Sequence, residues 1–244
     1  MRLAVRGADR RLDFLARLWM DRHQVYRDPA SGVLAGMDAV VAIRPRAEDL
    51  VHMRAGAHLF RIGGAGAAPA GVIDVDLMQD PDFVRDNAHL TAEGALYAAM
   101  QAGDDALMGS VCLVVGYGRI AQALVRMLTG FGARVIVAAR RAEARQAAVE
   151  AGADATDMAG LPHAAAQADF VFSTPPETVM GAAELSRVRS GVPVMDLASP
   201  PYGVDLAAAQ RLGVRAWRES GVPGRYCPLA AARAMADAID RHWD

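Results

Sequence analysis

The chain has 244 residues with 53% hydrophobic, 22% charged and 6% aromatic side chains, a composition that suits one large or two small globular domains and excludes disorder, collagen and coiled coil. Its 26 basic and 28 acidic residues give a formal net charge of −2 with no block of one sign, so neither nucleic acid nor an anionic membrane is an expected partner. Every one of the 26 cations is arginine, and the lack of lysine excludes Schiff-base chemistry, a P-loop and dehydrogenases that use Lys as acid or base.

The opening run, residues 1–7, lacks the apolar core of a signal peptide and no later run reaches the ~18 residues of a bilayer span, so a cytoplasmic location is expected. Leu3-Ala4-Val5 predicts a strand that leaves through Gly7 and Asp9, and Leu12, Leu15, Leu18 and Trp19 then recur at helical spacing. Apolar runs at 39–43, 58–62 and 72–77, each bounded by Gly, Pro or Asp, predict further strands of a small α/β domain over residues 1–90. Leu96, Tyr97 and Met100 predict a linking helix over 91–101, within a connecting stretch 91–108 that breaks at Gly103-Asp104-Asp105.

From Ser110 onward, apolar runs at 111–115, 134–138, 169–173, 192–197 and 214–217 alternate with Ala-rich stretches of helix length. That alternation predicts a Rossmann-type doubly wound parallel sheet over 109–224. Ala231, Met235, Ala238 and Ile239 share one helical face, so residues 225–244 are expected to form a terminal helix that packs back toward the amino-terminal domain. The expected fold is therefore α/β, a Rossmann-type sheet preceded by a smaller α/β domain.

Gly116-Tyr117-Gly118-Arg119-Ile120-Ala121 fits G-x-G-x-x-A between a strand and an amphipathic helix. The first glycine permits a tight turn, the second lets backbone approach a pyrophosphate, and the helix N-terminus attracts phosphate. Gly116, Gly118, Arg119 and Ile120 are thus candidate cofactor residues, unless the run is a glycine turn of an unrelated α/β protein. At the end of the next strand an NAD enzyme carries an acid for the ribose hydroxyl, whereas this chain has Arg140 and Arg141. Guanidinium forks suit a 2′-phosphate and point to NADP, although solvated arginines at a helix start read the same way. Thr174 and Pro175 end the third strand and Ala198 and Ser199 the fourth, where a cofactor would lie or where ordinary turns would form.

Cys112 sits in an apolar run and, with Cys227, is too little for a disulfide framework or a four-ligand zinc site. The six histidines show no metal-ligand spacing, so no metal is expected, and His89 is at most an acid or base near a cleft. Asn87 is the chain's single asparagine.

Several segments together carry a resemblance. These are Asn87-Ala88-His89-Leu90-Thr91-Ala92-Glu93-Gly94, Asp196-Leu197-Ala198-Ser199 with Gly203-Val204-Asp205, the run from Gly221 to Pro228, and the opening Gly7-Ala8-Asp9-Arg10-Arg11. With the glycine fingerprint, they make the chain resemble the family of A-type subunits of dipicolinate synthase, from which it departs at Ala8, at Ala230-Ala231 and in a shorter amino-terminal domain. The resemblance implies NADP-dependent oxidation of a dihydrodipicolinate ring to dipicolinate during sporulation, with a small dicarboxylate substrate and a homo-oligomeric state. The partner it implies is the flavoprotein-like B-type component of dipicolinate synthase. It also implies Glu93 as base or orienter, with Asn87 and Thr91 positioning the ring and Arg225, Arg10 or Arg11 meeting its carboxylates. Glu93 reads equally as a charge that stabilises a helix dipole. An orphan dehydrogenase for another small acid, and a nucleotide-sensing module of the kind that gates potassium transport, are the competing readings. A missing acid after the second strand and the extra α/β domain weigh against the sensing module.

Overall fold

The structure, a computed structural model, describes residues 1–64 and 68–243. Residues 65–67 and 244, inside the expected first domain and terminal helix, lie outside the described residues. The chain divides into two compact units, Met1–Leu90 with Pro223–Asp244, and Thr91–Val222.

The first unit opens with β1 (Arg2–Arg6), α1 (Arg10–Trp19), β2 (Gln24–Arg27), β3 (Ala39–Ile43), β4 (His58–Ile62) and β5 (Ile73–Asp76). All strands are parallel in the order β2-β1-β3-β4-β5. Successive side chains of a strand face opposite ways, so Leu3 and Val5 join Leu12, Leu15 and Trp19 of α1 in one core, while Ala4, Val40 and Leu59 meet Leu34, Met37 and Leu50 on the other face. Asp9 starts α1 by accepting the Arg11 N–H at 3.0 Å.

The second helix, α2 (Pro81–Ala102), begins well before residue 91, where sequence periodicity places its start. The signal is local: the Asp80 carboxylate accepts the Phe83 N–H at 2.7 Å and Pro81 takes the first helical position. The boundary between the two units falls within this helix, between Leu90 and Thr91.

The second unit contains β6 (Val111–Val115), α3 (Arg119–Gly130), β7 (Arg134–Ala138), α4 (Ala142–Glu150), β8 (Asp154–Thr156), α5 (Leu161–Gln167), β9 (Phe170–Ser173), α6 (Ala182–Leu185), β10 (Val194–Asp196), α7 (Leu206–Leu212) and β11 (Ala216–Arg218). The six-stranded sheet runs β11-β10-β9-β6-β7-β8, all parallel. This is the doubly wound Rossmann order, which reverses direction between β6 and β9. Cys112, Leu113, Val114 and Val115 are 0% exposed, because helices cover both faces of a central parallel strand. Each such aliphatic side chain contributes roughly 1.5–3 kcal/mol by burial.

Two strands escape the hydrophobic pattern: β2 and β8 lie at sheet edges and are short, polar and half exposed. The Gly-Val-Pro-Gly segment, residues 221–224, leads into a short helix, α8 (Val222–Tyr226), followed by α9 (Pro228–Arg241). Met235, Ala238 and Ile239 of α9 complete the apolar core against Leu12, Leu15 and Trp19 in the first unit.

Candidate dinucleotide site

At the carboxyl end of β6 the chain turns through Gly116, whose φ of 85° favours glycine and whose N–H donates to Ala138 O at 2.9 Å. A Cβ there would sit 2.7 Å from Thr174 Oγ1 and 3.0 Å from Pro175 Cγ, so packing also demands glycine. Gly118, the N-cap of α3, differs: its backbone is extended, with φ −80° and ψ −174°, and a Cβ would meet nothing within 4 Å. The protein's own packing gives no reason for glycine at 118, whereas close approach of a ligand to the backbone would.

Both glycines line a cavity of about 530 Å³ that also takes in Ala138, Arg140, Arg141, Thr174, Pro175 and Val179. Thr174 fixes one wall, its N–H and hydroxyl both donating to Val115 O, at 3.1 and 2.9 Å. Tyr117 fixes another by donating its hydroxyl to Ala147 O at 3.0 Å, and burial pushes its phenol pKa up. At the rim Arg140 pairs with Glu177 at 2.8 Å, with both side chains more than half exposed. Arg141 caps α4, and its guanidinium has no hydrogen-bond partner among the described residues. Arg145 holds the turn between them, donating to Ala139 O and Arg140 O at 2.9 and 2.7 Å.

These residues fit a dinucleotide. The first turn of α3 has no acid and begins with Arg119, a charge that opposes the helix dipole until an anion sits at that end. No carboxylate follows β7 directly in the sequence, so that strand end would not repel a phosphate, and Glu177 at the rim already has a partner.

The structure brings Gly116, Gly118, Arg140, Arg141, Thr174 and Pro175 to this cavity. Arg119 and Ile120 lie on the first turn of α3 outside its lining, as do Ala198 and Ser199 on the loop after β10. That loop folds around the buried Asp196 carboxylate, which accepts N–H bonds from Ala198, Gly203 and Val204 at about 3.1 Å. A Cβ on Gly203 would reach 2.3 Å from Ser173 Oγ, which explains why glycine closes the loop. Sequence reasoning misses Tyr117, Met158, Val179 and Glu177; of these, Glu177, directly after Thr174-Pro175-Pro176 at a strand end, carries some signal.

The substrate candidates are distributed differently. Asn87 and Thr91 lie one turn apart on the same face of α2. Glu93 is exposed and projects about 200° around the helix from Thr91, so the helix does not bring the three together. In the first unit, Arg10 donates to Arg225 O at 3.3 Å and the exposed Arg225 guanidinium lies 5.2 Å from the Tyr226 ring. Arg11 is 6% exposed and gives a bidentate pair to Asp9, at 2.9 and 2.8 Å, so the expectation that it meets a substrate carboxylate is corrected: it is an internal cation. Gly224 explains why the opening loop and the Gly-Val-Pro-Gly segment belong together. A Cβ on it would lie 2.5 Å from Asp9 Oδ1. Burial pushes the Cys112 thiol up to about 11, and no cluster of three or more metal-ligating side chains occurs among the described residues. No helix among them is long and apolar enough to cross a membrane.

Comparison with known proteins agrees with this geometry. Residues 86–198 match the family model of the D-isomer specific 2-hydroxyacid dehydrogenase NAD binding domain. The A-type subunit of dipicolinate synthase from Bacillus subtilis (strain 168) is 28% identical over 167 residues, a segment that spans 68% of this chain and 56% of that relative. Among solved structures, the corresponding protein from Bacillus halodurans superposes with a TM-score of 0.85 at 22% identity, covering 99% of this chain and 97% of that one. A transhydrogenase from Sinorhizobium meliloti gives 0.77 at 17% identity, covering 99% and 92%. In sequence and in fold the chain is similar to the A-type component of dipicolinate synthase, and its second unit has a Rossmann-type fold whose match to an NAD binding domain supports a nicotinamide dinucleotide as cofactor.

Proposed function

We propose that the chain is an NADP-dependent oxidoreductase of the dipicolinate synthase A type, which oxidises dihydrodipicolinate, formed from 4-hydroxy-tetrahydrodipicolinate, to dipicolinate. The observation that carries the cofactor assignment is the pair Arg140 and Arg141 on the rim of the glycine cavity, where an acid would select NAD. When bound, the dinucleotide supplies the two-electron acceptor. The chain's own residues do the rest: the Gly116 and Gly118 backbone admits the pyrophosphate, and Thr174 and Pro175 form the wall beside it. Arg140 and Arg141 receive the 2′-phosphate. Asn87 and Thr91, on one face of α2, orient the ring, and Arg225 meets a carboxylate; Glu93, the base that the resemblance implies, projects from the opposite face of α2, so the ring proton lost on aromatisation passes to Glu93 through water rather than by direct contact. The amino-terminal domain, residues 1–90, serves substrate and partner, and the partner is the flavoprotein-like B-type component of dipicolinate synthase.

The Arg140–Glu177 pair does not oppose this reading. The exposed Arg140–Glu177 pair is worth only about 0–1 kcal/mol, and a 2′-phosphate at the same rim brings more negative charge, more acceptor oxygens and a second guanidinium, Arg141, as partner. A 2′-phosphate therefore displaces Glu177. Calorimetric titration tests the assignment: the wild type binds NADP more tightly than NAD, and Arg140→Glu weakens NADP at least about tenfold, ~1.4 kcal/mol, while NAD changes little. Equal loss for both dinucleotides would refute the 2′-phosphate role.

A further inference from the structure

A second ligand-sized cavity lies in the first unit. Its sheet order, β2-β1-β3-β4-β5, places the switch in strand direction between β1 and β3, and open α/β sheets bind ligands in the crevice at the carboxyl ends of such strands. A cavity of about 390 Å³ opens there, lined by Arg6 and Gly7 at the end of β1, by Arg44 and Arg46 after β3, and by Asp28 and Asp49.

Most charges around this cavity are already used. Arg6 donates to Ser31 Oγ and to the Asp49 carbonyl, Arg27 to Asp13 and Asp28, and Arg46 to Glu48. The Asp28 carboxylate accepts the Gly7 N–H at 2.8 Å and the Asp49 carboxylate the Arg46 N–H at 3.1 Å. Arg44 differs from all of these, since its guanidinium makes no hydrogen bond or ion pair among the described residues. Its backbone is also unusual: φ is 49°, in the left-handed region that favours glycine, while its N–H still donates to Ile62 O at 3.1 Å. Asp28, which lines the same cavity, shares this conformation with a φ of 47°, so the strained backbone marks the cavity rim, and the unused head group is what singles out Arg44.

We propose that this crevice is a carboxylate site and that Arg44 is the group that grips the ligand. The acids nearby are spent on main-chain N–H groups and other arginines; Asp9 feels the Arg44 charge but accepts its hydrogen bonds from Arg11, so the Arg44 donors remain unused and their planar fork matches a carboxylate. The volume lies at the small end of ligand pockets, which suits a ring with one or two carboxyl groups. On the proposed function the ligand is the dicarboxylate substrate or product, and this identification rests on that reading; the site itself rests on residues of the first unit alone.

The test is calorimetric titration of the full chain with pyridine-2,6-dicarboxylate, pyridine-2-carboxylate and inorganic phosphate, with NADP titrated separately, for the wild type, Arg44→Gln and Arg44→Gly. The dicarboxylate should bind the wild type and weaken at least about tenfold in both variants, with NADP affinity unchanged. Arg44→Gly, which relieves the left-handed backbone, should leave the Tm unchanged or raise it. No carboxylate binding by the wild type, undiminished binding in Arg44→Gln, equal or tighter binding of phosphate, or a Tm lost together with binding would each overturn the site. Arg44-dependent carboxylate binding in a chain that fails to bind NADP would refute the cofactor assignment and leave the site standing.

Discussion

Gly116 and Gly118 belong to one fingerprint but have different reasons for being glycine, and the difference can be measured. At Gly116 both the left-handed φ of 85° and Thr174 Oγ1, 2.7 Å from the place of a Cβ, resist a side chain. Gly116→Ala should therefore cost roughly 1–3 kcal/mol of stability. At Gly118 the backbone is ordinary and the space is open, so Gly118→Ala should leave the Tm within about a degree while weakening dinucleotide binding severalfold. Loss of stability at 118 without loss of binding would contradict the pyrophosphate role. Glu177 yields the complementary prediction: Glu177→Gln frees Arg140 and should tighten NADP more than NAD in the same titration, and no change in the NADP-to-NAD ratio would remove Glu177 from the specificity argument. The Arg140–Glu177 pair is not legible in the sequence, because the contact joins the ends of β7 and β9 and has no local pattern.

At the scale of elements, the long helix α2 and the terminal helix α9 are held by one carboxylate. Asp80 accepts from Arg241 at 2.8 Å, from His242 at 3.0 Å and from the Phe83 N–H, with its side chain 5% exposed. The Arg241 guanidinium first, and then the Phe83 N–H and His242, hold its carboxyl well below the usual carboxylate range against the opposing effect of burial. Because the folded-state pKa lies below the ~3.9 of an unfolded aspartate, this contribution is complete above about pH 5 and is lost as pH falls below ~4. Asp80→Ala should cost roughly 2–3 kcal/mol at neutral pH, since it strips a buried hydrogen-bonded charge from its partners. In thermal melts the gap between wild type and Asp80→Asn should narrow from pH 7 to about pH 3; a constant gap would contradict the assignment. Gly224→Ala should likewise destabilise the first unit by roughly 1–3 kcal/mol, since its methyl would press on the Asp9 carboxylate that Arg11 holds.

The same scale shows what is legible in the sequence. Strands β3, β4, β6 and β7 have the bounds that their apolar runs predict, because strands buried on both faces read as unbroken apolar runs. β2 and β8 escape because a short, half-exposed edge strand has no such run, and the start of α2 escapes although Asp80-Pro81 marks it. Gly116, Gly118, Arg140 and Thr174 are legible as a site because motif and strand end occupy neighbouring parallel strands. Arg11 is not: the residue type that could grip a substrate carboxylate is taken by Asp9, which also caps its helix, a pairing that the sequence pattern does not mark.

For the whole molecule, two parallel sheets each place their carboxyl ends under a cavity, one glycine-lined and one arginine-lined. Mass action gives the consequence for stability: NADP at 100 times its Kd should add about 2.7 kcal/mol, visible as a rise in Tm that Arg140→Glu largely removes. The most direct test of an NADP-dependent dipicolinate-forming enzyme is to supply the purified chain with the product of a dihydrodipicolinate synthase and NADP or NAD, with and without the flavoprotein-like partner. Dipicolinate is read by terbium luminescence beside the reduced dinucleotide. Dipicolinate and NADPH formed in equal amounts, with NAD a poorer substitute, is the expected result; no dipicolinate under any of these conditions, in a chain that binds NADP, would contradict the assigned reaction.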